Sequence, residues 1–203
     1  MESLADDDKR YARSEATRGK ILDAVTRCYR TLGVDGTTME DVAQEASVGR
    51  ATLYRHFSNQ QHLLVELVTR EMESIRAQVQ NSLHVGGRCE DYLVESALII
   101  LRETPRRDLA ELLFTGTTGA RISRMSLSDS SITGFATDWL EPFFAAAKAE
   151  GVLRDWVTRP KLQEWMSRVI ISLVTTPSQT MKSEKALREF FRDAIVPSII
   201  QRE

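Results

Sequence analysis

The chain has 203 residues, 42% of them hydrophobic, with 27 basic against 29 acidic side chains and a formal net charge of -2. This length can hold a small domain on a larger one with hydrophobic content to spare for a core, and no run of eighteen apolar residues offers a membrane span. Acidic Asp6-Asp7-Asp8 is the wrong charge for a secretory leader, and two cysteines without CxxC spacing give no zinc framework and fit a reducing cytoplasm, the expected location.

Residues 1–13 are polar and read as a flexible leader, in which Lys9, Arg10 and Arg13 can reach a DNA backbone or minor groove. From about Ser14 to Leu32 the spacing of Ile21, Leu22, Val25, Cys28, Tyr29 and Leu32 predicts an amphipathic helix ended by Gly33. Cys28 lies on that apolar stripe as a packed thiol. A second helix opens at Thr37-Thr38; either threonine can cap it, and Glu40 stands three residues after Thr37 as in a capping box. Met39, Val42, Ala43 and Ala46 share one side of it, and Glu40, Asp41, Gln44 and Glu45 the other. Ser47-Val48-Gly49 then permits a tight reversal, with Val48 plugging the corner and Gly49 starting a third helix.

In that third helix Leu53 and Phe57 point inward, which leaves Arg50, Ala51, Thr52, Tyr54 and Arg55 accessible. Two short helices about a tight turn are built to enter a DNA groove. The Arg50 guanidinium fork matches guanine O6 and N7, and Ala51 or the Thr52 methyl can touch a thymine methyl. Tyr54 can give its hydroxyl to a phosphate, and the first N–H groups of the preceding helix, with the Thr38 hydroxyl, can hold another. The charge argument is weak: between Lys9 and His62 there are nine basic against six acidic side chains, a surplus of three.

A fourth helix is expected from Asn59 or Gln60 to about Leu83, burying Leu63, Leu64, Leu67, Val68, Met72 and Ile75, until His84-Val85-Gly86-Gly87 breaks it. Further helices read as Glu90 to Glu103, Asp108 to Phe114 beyond Pro105, one around Phe135 to Phe144 closed by Gly151, and a final pair at about 161–175 and 183–200. Thr115 to Ser131, rich in Gly, Ser and Thr, can be a frayed helix, a loop or a flap over a pocket. Cys89 has no clear helical context. No strand shows convincing alternation, so the fold class is all-α, with about nine helices.

Gly36-Thr37-Thr38, Asp41-Val42-Ala43, Ala46-Ser47-Val48, the run Ala51 to Phe57 and Leu63-Leu64 together resemble the N-terminal signature of the TetR family of transcriptional repressors. The resemblance covers about residues 17–67. It implies a DNA-binding head at 14–59 and an effector-binding and dimerisation body at 60–203, whose small-molecule ligand shifts two heads and releases an operator. It also implies that the final helix pair builds a four-helix interface with a second subunit. Two heads on a two-fold axis would then read a palindrome, since one short helix makes too few base contacts alone. His56 belongs to the matched signature and can lie by the DNA backbone, or equally pack at the helix end. Ser47 replaces a common glycine, Gly49 a frequent capping serine, and Gln60 a lysine that usually meets a phosphate; a neutral amide offers a weaker bond there.

If the body takes an effector, Phe114, Trp139 and Phe143 are the candidate pocket residues, and the ligand is expected to be small and largely apolar. Glu95, Ser96 and Thr117 can supply polarity. No cofactor or metal is expected, because His56, His62 and His84 form no ligand spacing with thiols or carboxylates. No Ser/His/Asp or Cys/His constellation supports an enzyme. The remaining alternative is a DNA- or protein-binding regulator with no small-molecule effector.

Overall fold

The computed structural model describes residues 2–83, 87–106, 113, 116–125, 130–176 and 178–201. They form an all-α protein whose elements run α1 (Glu2–Leu32), α2 (Met39–Glu45), α3 (Arg50–His56), α4 (Gln60–Ser82), α5 (Cys89–Glu103), α6 (Gly116–Met125), α7 (Ser130–Ala149), α8 (Arg159–Thr175), α9 (Glu184–Phe190) and α10 (Val196–Ile199). Among the described residues the only β pairing is an isolated bridge between Leu153 and Ile200. No described helix is long and apolar enough to cross a membrane. The chain divides into two compact units, Met1–Val68 and Thr69–Glu203.

In the first unit α1 buries Ile21, Leu22, Ala24, Val25, Cys28 and Tyr29, the stripe its periodicity predicts. It closes where Gly33, at φ 75°, donates its N–H to the Tyr29 carbonyl. Gly36 follows because a Cβ there would sit 2.3 Å from the Leu32 carbonyl oxygen. α2 leaves through a Schellman turn: the Val48 N–H meets the Ala43 carbonyl and the Ser47 N–H that of Gln44, with Ser47 itself at φ 50°. Leu53 and Phe57 of the α3 segment are wholly buried, as are Val42 and Ala46.

In the second unit α5 buries Cys89, Leu93, Val94, Ala97, Leu98 and Ile99, a broad apolar face that packs into the core while Asp91 and Glu95 pair with Arg192 and Arg188. Trp139, Leu140 and Phe143 of α7, Leu162 and Met166 of α8, and Phe191, Ile195 and Ile199 near the end join it in one core. Gly151, at φ 70°, turns the chain after α7. The C-terminal segment is pinned to that turn: Gln201 N–H to the Val152 carbonyl at 2.8 Å, Trp156 Nε1–H to the Ser198 carbonyl at 2.9 Å. Residues Phe191–Ile195 form a π turn between α9 and α10.

Several expectations are corrected. Residues 2–13, read from the sequence as a flexible leader, are helical and run on into the rest of α1, as fits a stretch without Pro or Gly. Leu32 is 47% exposed, because the helix ends there and the stripe has no neighbour to cover. Met72 is only half-buried. Thr115 to Ser131 is helical wherever it is described, in α6 and at the start of α7. Cys89, far from lacking helical context, is the first residue of α5 and is buried. Asp108 to Phe114 lies outside the described residues except Leu113, which is helical and buried, and so does most of the break after Leu83.

Candidate nucleic-acid interface

α3 owes its exposure to what holds its other face. With Leu53 and Phe57 at zero exposure, a helix of seven residues must turn Arg50, Ala51, Tyr54 and Arg55 outward. Tyr54 is 46% exposed, and Thr52 and His56 are half-buried. Gly49 occupies the N-cap in extended backbone and supplies no side-chain cap; the space around it is open. Arg55 forms no ion pair among the described residues, so its charge faces solvent.

Arg50 does not stand alone. Its Nη1 lies 3.2 Å from a Glu40 carboxylate oxygen across the turn, both side chains being about two-thirds exposed. An ion pair that open exchanges readily with a phosphate or a base edge. It holds the guanidinium above the α2–α3 corner until something better is offered.

Thr38, and not Thr37, caps α2, and its box partner is Asp41 in place of Glu40. The Thr38 N–H and hydroxyl both donate to Asp41 Oδ2, at 2.8 and 2.6 Å, and the Asp41 N–H returns to Thr38 Oγ1 at 3.2 Å. Hydrogen bonds from the Thr38 side chain and then its backbone hold the Asp41 carboxyl below its usual range. Thr37 is buried and gives its hydroxyl to the Gly33 carbonyl instead. The Thr38 hydroxyl proton expected for a phosphate is therefore engaged within the cap.

Gln60 likewise turns inward. Its Nε2 donates to the Thr37 carbonyl at 2.5 Å, tying the start of α4 to the loop before α2. Around it lies a cluster that periodicity gave no reason to single out. Arg18 of α1 pairs with Glu66 of α4 and lies 5.6 Å above the Phe57 ring. His62 accepts the Ser58 N–H on Nδ1, packs 5.5 Å from the Phe57 centroid and places Nε2 3.5 Å from Glu66. Asn59 Oδ1 accepts the His62 N–H at 2.9 Å, the N-cap signal at that position. These side chains fix the exit of α3 and so the angle at which Arg50 and Tyr54 are presented.

Both thiols are buried. Burial first, then the Glu45 and Asp41 carboxylates, raises the Cys28 thiol pKa, so it stays protonated. Cys89 Sγ lies 3.6 Å from Glu90 Oε2 and 3.8 Å from Glu150 Oε2, and Arg88 neutralises Glu90 at 2.6 Å. Trp139 and Phe143 are buried in the packed core of the second unit, and Phe114 lies outside the described residues.

Residues 21–67 match the family model described as bacterial regulatory proteins, tetR family. The HTH-type transcriptional repressor KstR of Mycolicibacterium smegmatis is 39% identical over 70 residues, 34% of either chain, so the match spans about a third of that relative's length. An uncharacterized HTH-type transcriptional regulator of Mycobacterium tuberculosis is 24% identical over 187 residues, covering 92% of this chain and 89% of that one. Among solved structures, Thermus thermophilus FadR, a TetR family transcriptional repressor in complex with lauroyl-CoA, superposes with a TM-score of 0.64 at 16% identity, over 92% of this chain and 96% of its own. The TetR family repressor AlkX of Dietzia sp. gives 0.60 at 22% identity, over 88% and 92%.

Proposed function

We propose that this chain, a DNA-binding transcriptional regulator of the tetR family, is a cytoplasmic repressor that binds a palindromic operator as a homodimer and leaves it when a small, largely apolar effector binds the second unit. The observation that carries the reading is α3, buried on Leu53 and Phe57 and bare at Arg50, Ala51, Tyr54 and Arg55. Arg50 reads guanine, Ala51 and the Thr52 methyl read thymine, and Tyr54, Arg55 and His56 position the helix on phosphates. Gly49 lets the backbone approach closely. Thr38 and Gln60 act at one remove, by fixing the α2 cap and the α4 start.

Dimerisation is assigned to α8 and α9 with the segment that follows, about 161–175 and 183–200. Val169, Ile170, Leu173, Val174, Leu187 and Phe190 are only half-buried there, an apolar stripe wider than the subunit's own core needs. Effector control follows from linkage: a ligand that prefers the DNA-incompetent state lowers operator affinity by its differential affinity for the two states. A fold neighbour at 16% identity holds lauroyl-CoA, whose acyl chain is the apolar part of that ligand.

Selection of bound duplexes from a random library tests the reading. A recovered palindrome with half-sites about 10 base pairs apart, or a multiple of a helical turn, is the expected result. A monomer by light scattering, or no preference among duplexes at moderate salt, would overturn it.

A further inference from the structure

The contact between Arg50 and Glu40 uses one nitrogen of the guanidinium. Both Glu40 carboxylate oxygens approach Nη1, at 3.3 and 3.2 Å. Nε and Nη2, which form the side edge of the planar group, have no partner among the described residues. That edge still offers the two parallel N–H donors that match guanine O6 and N7. Glu40 holds Nη1 from a different helix, α2, whose start is fixed by the Thr38–Asp41 cap. The carboxylate is therefore anchored independently of the helix that carries Arg50.

We propose that Glu40 is a positioning residue for sequence reading: it aims the free edge of Arg50 and favours a guanine contact over a phosphate contact. The inference rests on the reading of Arg50 as the guanine contact and adds what makes that contact selective. A phosphate attracts a guanidinium mainly by charge and carries no sequence information. Guanine is neutral, and it is recognised by the direction of two hydrogen bonds. The pair of Arg50 with Glu40 has no net charge but keeps the Nε–Nη2 donors. Arg50 can bring Glu40 to a phosphate as a neutral pair, or leave it behind as an unpaired carboxylate beside a polyanion; either way the phosphate contact is weakened. On guanine the pair stays whole. Both side chains are about two-thirds exposed, so the selectivity gained has the size of an open ion pair, about two- to fivefold in relative affinity.

The test uses the full chain and a pool of random-sequence duplexes. Sequencing of bound and unbound duplexes gives the preference at every position, and Kd is then measured on the recovered consensus and on the unselected pool. Wild type, Glu40→Gln, Arg50→Ala and the double variant are compared, with unchanged helical circular dichroism as the fold control, since both side chains are exposed. Glu40→Gln should tighten the pool more than the consensus, so that pool Kd over consensus Kd falls about two- to fivefold. The preference it relaxes should lie at the base pair where Arg50→Ala loses its own. The double variant should lose no more than Arg50→Ala alone, as a residue acting through another requires. Equal tightening of pool and consensus would make Glu40 a general repulsive charge and overturn the inference, as would unchanged binding. Relaxed preference at another base pair would also overturn it, by making the carboxylate itself a reader, for instance of a cytosine amine. If Arg50→Ala leaves every preference intact, the reading of Arg50 fails and the inference with it. If Arg50→Ala loses a preference that Glu40→Gln keeps in full, only the inference fails.

Discussion

The two units carry their chemistry in opposite ways. In the first, α2 and α3 are seven residues each, and every buried side chain in them dictates which neighbour must face outward. In the second, α5, α7 and α8 are 15 to 20 residues long and share one broad core, so a residue's size fixes its burial and says nothing about a ligand. Short elements make function local; long ones distribute it. The position of the three tryptophans makes this contrast measurable: Trp139, Trp156 and Trp165 all belong to the second unit, so tryptophan fluorescence reports that unit while helical circular dichroism reports both.

The largest expected effect is on the first unit's core. Phe57 is wholly buried beneath Arg18 and beside His62, and Phe57→Ala should cost about 3–5 kcal/mol. If each unit has its own stability, urea melts of that variant will lose part of the circular dichroism early while the tryptophan transition keeps its midpoint. Coincident shifts of both signals would show that the units unfold together.

Next in size is recognition. Arg50→Ala should cost about 1–3 kcal/mol at the operator and relax preference at one base position, whereas Tyr54→Phe should weaken all sequences alike by about 1 kcal/mol. Neither should move either melting signal, since both side chains are exposed. Glu40→Gln sharpens the point. It releases Arg50 from its ion pair and removes a carboxylate from the exposed α2–α3 corner, so operator affinity should rise on every sequence, most at low salt. Unchanged sequence preference in the Arg50 variant, read by footprinting, would remove its assigned role.

The limits of legibility follow the same division. The exposed set on α3 was readable because two apolar positions fixed the helix face. Glu40 as the partner of Arg50 was not, since the pair is ten residues apart and meets only across the turn. Sequence alone presents Gln60 and Thr38 as outward donors, yet a closer acceptor, the Thr37 carbonyl or the Asp41 carboxylate, takes each first. Leu32 continued its stripe in sequence after the packing had stopped. In the second unit, Trp139 and Phe143 have the bulk that fills a core, and both are buried in one.

Smaller effects come from the α2–α3 corner. Ser47 adopts a left-handed conformation, at φ 50°, that glycine enters without a Cβ clash. Ser47→Gly should therefore stabilise the first unit by about 0.5–1 kcal/mol, visible in the circular dichroism melt and absent from the fluorescence. A destabilised variant would mean that the serine hydroxyl, and not the backbone, decides this turn.

The least effect, and the most specific, is pH dependence at the α2 cap. The Asp41 carboxyl is held below its ordinary value of 3.8 by the Thr38 hydroxyl and N–H, so its folded form binds a proton more weakly than its unfolded form. The cap's contribution is then complete above that ordinary value and disappears as pH falls through the lower, folded one. Asp41→Asn removes the titrating group and keeps an acceptor for the Thr38 N–H. Its melting temperature should lie below wild type at neutral pH and approach it in acid, with the difference closing below about pH 4. A gap that stays constant down to pH 2 would mean that Asp41 serves α2 through its shape and not its charge. Because Asp41 is accessible in the folded state, added salt should leave the local hydrogen bonds intact and narrow the gap only slightly.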